Sequence, residues 1–374
     1  MAHAYTPGLK VSEKDLVRKE RRLPLKGEVL SHVGEKVLSE TIVAKTHLPG
    51  NVQTLNLAGA LGCLPEDVVE YLLKRSGDPI RKGELIAQSK GFFGLFKSKV
   101  ESPCDGTLES VSKITGQAIL REPPEPIQVD AYIEGEVVEV FPQEGVVVET
   151  VATFVQGIFG VGGEMRGVIF PVSEKPDEVL TEGEISEKCR GKVLVGGSLV
   201  TANAVLKAIE KGVRGIVVGG IEDGDLKRFL GYELGVAITG SENLGLTLII
   251  TEGFGRMQMA GRTFSLLREH SGEQASINGA TQIRAGVMRP EVVIQLNTQA
   301  RHEVRGTKHE AGLVIGSPIR LIREPFFGQL GKVASLPSEL QVIETESKVR
   351  ILEVELDNGR RVLLPRANVE MIEG

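Results

Sequence analysis

The chain has 374 residues, more than the roughly 250–300 at which a single hydrophobic core stops growing, so two or three domains are expected. Its 41% hydrophobic and 25% charged residues exclude wholesale disorder, and its net charge of −6 excludes a protein-wide basic field that draws it to nucleic acid. No apolar run approaches the ~20 residues needed to cross a bilayer. The first residues, MAHAYTPGLKVSEKD, hold no apolar signal core. A cytoplasmic protein without a transmembrane segment is expected. Cys63, Cys104 and Cys189 are far apart and form no CxxC pair, which fits three reduced thiols.

Residues 1–22 form a basic N-terminal arm carrying Lys14, Arg18, Lys19, Arg21 and Arg22. Such a cluster is a solvated tail or a partner-binding arm. Short β-type runs follow at 28–30, 36–38 and 41–44, and the same hairpin cadence returns at 74–88 and 135–152. Between the first two, 64–75 predicts a helix. Pro65 sits in its first turn, Glu66 and Asp67 follow, and Lys74 and Arg75 close it, an order that suits the helix dipole. Val68, Val69, Leu72 and Leu73 share one face of that helix. The stretch SKGFFGLFKSK then carries Phe92, Phe93 and Phe96 on a hairpin, either packed under a neighbouring domain or offered to a partner. Residues 122–130 are a Pro-rich connector, and the polar stretch 173–190 is the predicted linker between domains.

The run GDPIRKGELIAQ, followed by VESPCDGTLESV, resembles the biotinyl/lipoyl barrel, with tight turns at Asp78 and Gly83 and a return turn at Pro103, Asp105 and Gly106. With ERRLPLKGEVLSHVGEKV before it, the layout is similar to the barrel-sandwich hybrid region of the RnfC electron-transport subunit. The resemblance implies a lipoyl-like β region over 23–172, with the 64–75 helix inserted. Lys90, Lys97 and Lys99 lie in the central hairpin, but outside the Met-Lys-Met or Asp-Lys-Ala setting of a modified lysine. The cluster-binding cysteines and flavin-binding part of RnfC have no counterpart, so no cofactor is expected.

From residue 191 the rhythm changes. Strands are predicted at 192–195, 215–218, 236–239, 247–251 and 292–295, and helices at 201–211, 223–230 and 256–270. This alternation implies an open α/β sheet over 191–300, followed by a linker at 301–311. Within 312–374, the run GSPIRLIREPFFGQLGKVASLP resembles the KOW motif of the NusG type, an SH3-like small barrel. Gly316, Ile319, Leu321, Pro325, Phe326, Gly328, Gly331 and Val333 carry that pattern, while Glu324 replaces its usual Gly. The fold class is therefore multidomain α/β plus all-β: barrel-sandwich hybrid, central α/β sheet, small barrel. The whole chain also resembles a conserved bacterial family, a resemblance that brings no activity.

Ligands of open α/β sheets bind outside the carboxyl ends of the strands. Four predicted strand ends are polar or Gly-rich: Gly196, Gly197 and Ser198; Gly219, Gly220, Glu222 and Asp223; Thr239 and Glu242; Thr251, Glu252 and Gly253. Ser198 and Thr201 precede a helix, where free backbone N–H groups favour an anion or phosphate. The four acids converge on one rim if these ends align, either for acid–base work or as solvated loop acids. No P-loop, GxGxxG or nucleophile–base spacing is present. His302 and His309, each followed by Glu, lack metal-ligand spacing, and no metal is expected. Arg320, Arg323, Lys332, Arg360 and Arg361, with Arg350 and Arg366, give the last domain a local basic excess that suits RNA phosphates if they share a face. Two modules often used for docking, without a complete catalytic constellation, lead to a binding or adaptor protein with a protein partner. The alternatives are a ligand-binding or enzymatic α/β domain, and an RNA- or ribosome-associated factor. The oligomeric state is not set by these features.

Overall fold

Val17, Lys19 and Arg21 alternate with the exposed Arg18, Glu20 and Arg22, the period of a strand with one covered face. In the computed structural model, residues 11–22 form that strand. The structure describes residues 9–90, 97–232, 239–240, 242, 244–282, 288–296, 315–321, 325–326, 329–337, 340–342, 348–356 and 359–371. Of the described residues, 47% are in strands and 15% in helices, so sheets rather than helix packing set the architecture.

The largest sheet has eleven strands. In chain order they are β1 (Val11–Arg22), β2 (Lys36–Val37), β3 (Gly135–Phe141), β4 (Gly145–Gln156), β5 (Phe159–Val161), β6 (Glu164–Pro171), β7 (Lys192–Val195), β8 (Gly215–Ile221), β9 (Thr247–Phe254), β10 (Gln274–Asn278) and β11 (Glu291–Gln295). Their order is β5-β9-β8-β7-β6-β10-β11-β4-β3-β2, with β1 lying along β4. Strands β6, β7, β8 and β9 are parallel neighbours, and the remaining pairings are antiparallel.

The parallel strands read as apolar runs because both faces are covered. Helices α2 (Ala202–Glu210) and α3 (Asp223–Leu230) bury Val205, Phe229 and Leu230 over Leu194, Ile216 and Ile250. Helix α4 (Gly261–Glu269) buries Phe264 and Leu267 over Val193, Val217 and Ile249 on the opposite face. The one-turn helix α1 (Leu57–Leu61) belongs to a separate cluster with Ile86, Leu108 and Leu120, built on smaller sheets between residues 52 and 121. There Asp78 accepts the N–H of Arg75 at 2.7 Å and Asp105 that of Lys82 at 2.9 Å, so both acids close turns. The three cysteines are unpaired.

Four expectations change. The basic N-terminal residues are not a solvated tail, because β1 meets an acidic wall. Arg18 pairs with Glu149 at 2.5 Å, Lys19 with Glu291 at 2.5 Å, Arg21 with Glu164 at 2.6 Å, and Arg22 with Glu144 at 2.8 Å. The helix over 64–75 is instead a 3₁₀ turn, Pro65–Tyr71, since Leu72 bridges Ala87 and Leu73 N–H bonds Ile86 as extended chain. Helix α4 starts at Gly261 rather than 256 because the backbone before it is spent on strand ends, with Met257 N–H on Ser198 and Met259 N–H on Pro176. The stretch 173–190 is packed: Leu180, Ile185 and Cys189 are buried, and Val179–Leu180 pairs with Leu199–Val200. Its polarity misleads because the buried apolar residues are spaced singly among solvated acids. Part of the predicted 236–239 strand, the Phe-rich hairpin residues Phe92, Phe93 and Phe96, and the predicted linker at 301–311 lie outside the described residues.

Within 173–190, Thr181 and Glu184 form a reciprocal cap. Glu184 accepts from Thr181 N–H at 2.9 Å and from its hydroxyl at 2.8 Å. Burial pushes the Glu184 carboxyl up, but the Thr181 hydrogen bonds outweigh it and hold the group below the usual carboxylate range. A depressed carboxylate contributes stability above its unfolded pKa, near 4.3, that is lost as pH falls through its folded value. Thr181→Ala is expected to lower stability by about 0.5–2 kcal/mol at pH 7. In urea titrations the gap between variant and wild type narrows by pH 3; a gap that widens there contradicts this cap.

Candidate functional site

At the strand-end rim the chain's own backbone packs closely against the candidate residues. Ser198 is 2% exposed, and its hydroxyl lies 2.8 Å from the Asp177 carbonyl and 3.1 Å from that of Glu178. Its N–H bonds Glu178 as well, at 2.7 Å. Thr201 caps α2 by accepting from Ala204 N–H at 3.2 Å. The two residues expected to hold an anion are therefore engaged in closing the 175–178 turn and capping the helix.

The glycines serve close backbone approach. A Cβ on Gly197 lies 2.4 Å from the Glu178 oxygen, one on Gly219 lies 2.0 Å from the Met257 oxygen, and one on Gly220 lies 2.0 Å from the Gly255 oxygen. Gly196 donates to Val217 and Gly219 to Gly197, tying the strand ends together. Gly253 takes φ +155° beside the register shift at which it pairs with Gly220.

The four acids do not converge. Glu222 and Asp223 are exposed at the start of α3, and Asp223 pairs with Lys227 at 2.9 Å. Glu242 sits at the other end of β9, where its carboxylate accepts from Gly240 N–H at 2.6 Å and Gly162 N–H at 3.2 Å. Thr239 is at that end too, donating to the Gly160 carbonyl at 2.7 Å. Sequence periodicity places strand ends but not which edge of the sheet they share, and Thr239 and Glu242 stand before β9 in the chain.

Glu252 is the buried carboxylate of the rim. It is 3% exposed, and Oε1 accepts from Ala260 N–H at 3.0 Å, at the entry to α4. Oε2 takes a charge-assisted hydrogen bond from Nη2 of Arg320, itself 4% exposed. Nη1 of Arg320 lies 3.4 Å from the carbonyls of Thr251 and Glu252. Thr251 is buried, with its hydroxyl 3.4 Å from the Val218 carbonyl. This contact joins the C-terminal end of β9 to the 318–371 sheet.

That sheet contains β12 (Pro318–Leu321), β13 (Leu330–Ser335), β14 (Lys348–Leu356) and β15 (Arg361–Pro365), around a core of Ile319, Val333, Leu352 and Val354. Arg320 points inward, which removes it from any RNA-facing surface. Lys332, Arg360 and Arg361 are exposed, and Arg323 lies outside the described residues. Register puts Lys332, Glu355 and Arg361 side by side across three strands, and Arg361 pairs with Glu355 at 2.9 Å. Arg360 lies over the Phe326 ring at 5.5 Å, and Arg366 is held by the carbonyls of Ile351 and Pro337.

A second charged junction escaped the sequence reading. Arg21 lays both Nη atoms on Glu164, at 2.6 and 2.7 Å, and donates from Nε to the Asp130 carbonyl at 2.7 Å. Arg166 meets Asp130 at 2.7 Å, and Tyr132, 1% exposed, holds φ +64° beneath them. Burial, with Glu291 and Glu164 nearby, pushes the Tyr132 phenol well above its usual range. The available signal was the alternation of Lys19 and Arg21 with Val17 on one strand face. Among the described residues no three His, Cys, Asp or Glu side chains gather as a metal-ion set. No helix of the described residues is long and apolar enough to cross a membrane. No protein-family model matches this chain, and no curated protein matches it.

Proposed function

We propose that the chain is a cytoplasmic multidomain binding or adaptor protein that holds a lipoyl-like barrel-sandwich region (23–172), an α/β region (191–300) and a KOW-like small barrel (312–374) together. The observation that carries this reading is the Glu252–Arg320 pair. The deeply buried Glu252 carboxylate at the end of β9 is committed to seating the small barrel. Ser198, Thr201, Glu242 and Asp223 are each engaged within the chain, which favours a scaffold over a strand-end anion site.

An RNA-associated role is favoured by the exposed Lys332, Arg360 and Arg361, and Glu355 between two of them weakens it. The two readings part in a tagged pull-down from native lysate, run with and without nuclease. The adaptor reading expects a discrete, stoichiometric protein that survives nuclease and is absent from the tag alone. Recovery confined to nuclease-sensitive material moves the function to RNA and the small barrel.

A further inference from the structure

Strand β4 changes partner along its length. On the edge away from β1, Gly145–Glu149 pair with β3 and Ala152–Gln156 pair with β11; the Val151 carbonyl accepts the Leu296 N–H at 3.2 Å, so Thr150 stands where one partner gives way to the other. A cleft of about 510 Å³ opens at this fork. Small-molecule sites run from about 300 to 1,000 Å³, so the space suits a small ligand.

Thr150 stands at the fork and lines the cleft. Its side chain falls in the row of Val148, Ala152 and Phe154, and register puts Val293 and Gln295 on the same face. Thr150 is 2% exposed, and its hydroxyl has no hydrogen-bond partner among the described residues. Buried hydroxyls are ordinarily bonded, and leaving one unsatisfied costs about 1–3 kcal/mol. The other hydroxyls of the cleft are engaged: Ser276 donates to the Tyr132 carbonyl at 2.5 Å, and Ser39 to Glu40 at 2.9 Å.

The charge of the lining has one sign. Glu134 and Glu273 border the cleft, and no Lys, Arg or His is among the residues described as lining it. Glu273 meets His270 Nδ1 at 2.8 Å through one oxygen, and Glu134 makes no ion pair among the described residues. Between the acids lie the apolar Ile133, Val293 and Leu296. Carboxylates around an apolar floor, with an unsatisfied hydroxyl acceptor, match a ligand with ammonium groups on a methylene chain. We propose that this cleft binds an aliphatic di- or polyamine. The ammonium groups meet Glu134 and Glu273, the methylenes cover Ile133 and Val293, and an N–H reaches the Thr150 oxygen.

The test is calorimetric titration of the full chain with putrescine and spermidine, with 1,4-butanediol as the uncharged control of matched length. Saturable one-to-one binding of an amine, without butanediol binding, is expected. Glu134→Gln weakens it about tenfold, the scale of one charge-assisted hydrogen bond. Glu134 is exposed, so folding of that variant is not at issue. Thr150→Val weakens binding severalfold while raising the melting temperature of the unliganded protein, because an unsatisfied buried hydroxyl is replaced by an isosteric methyl. No saturable binding overturns the proposal. So does amine binding unchanged in both E134Q and T150V, which reports diffuse attraction to a chain of net charge −6.

Discussion

Arg320→Met is expected to destabilise the protein by about 3–5 kcal/mol, the cost of removing one partner of a buried ion pair. The Arg320 side chain is 5% exposed and that of Glu252 3%, so neither charge is solvated once the other is removed. Glu252 is then left with the Ala260 N–H as its charge-stabilising partner. The double variant Arg320→Met with Glu252→Gln is expected to recover most of the loss. Gln keeps an oxygen for Ala260 and removes the stranded charge. Arg320→Lys falls between, since an ammonium meets the carboxylate but does not also span the Thr251 and Glu252 carbonyls. Guanidinium unfolding followed by hydrogen exchange at 318–321 reads this directly. A double variant as unstable as R320M shows that the stranded charge is not the cause.

Gly220→Ala is expected to cost at least about 1–3 kcal/mol, the range for forcing atoms into a packed interior. The new methyl falls 2.0 Å from the Gly255 oxygen, and on Gly219 it falls 2.0 Å from the Met257 oxygen. Both obstacles are backbone, so no side-chain rotation relieves them. Relief requires that 253–260 lift from the strand ends, loosening Gly255 N–H from Ile221 and Met257 N–H from Ser198. Gly224→Ala is the internal control. Its methyl meets nothing within 4 Å among the described residues, and alanine in a helix is favoured over glycine by about 0.5–1 kcal/mol. Thermal melts should move in opposite directions for the two variants. A neutral G220A means that the 253–260 cover is not held against the rim in solution.

The same contrast shows what was legible. Gly219-Gly220 was visible as a pair of glycines at a strand end, and such pairs serve equally for ligand approach and for approach of the chain itself. Only the identity of the approaching atoms, Gly255 and Met257 oxygens, separates the two. Glu252 and Arg320 were each visible as candidates, one for a catalytic rim and one for RNA. Sixty-eight positions separate them, so no local pattern shows that each neutralises the other. Arg21 was read as tail because Glu164 and Asp130, its partners, are over a hundred residues away.

Local physics alone determined the α/β rhythm after residue 191. Apolar runs at 192–195 and 215–218 are strands covered on both faces, Thr201 caps α2 through its own hydroxyl, and Gly212 ends that helix in the left-handed region. These features depend on neighbours within a few residues, so they are written in the chain. Tertiary structure decided the rest: that β1 finds an acidic wall, that 253–260 covers the rim, that the 318–371 sheet is clasped by Glu252, and that β4 forks beside Thr150. Each depends on contacts between segments distant in the chain, which the spacing of residues along any one strand does not encode.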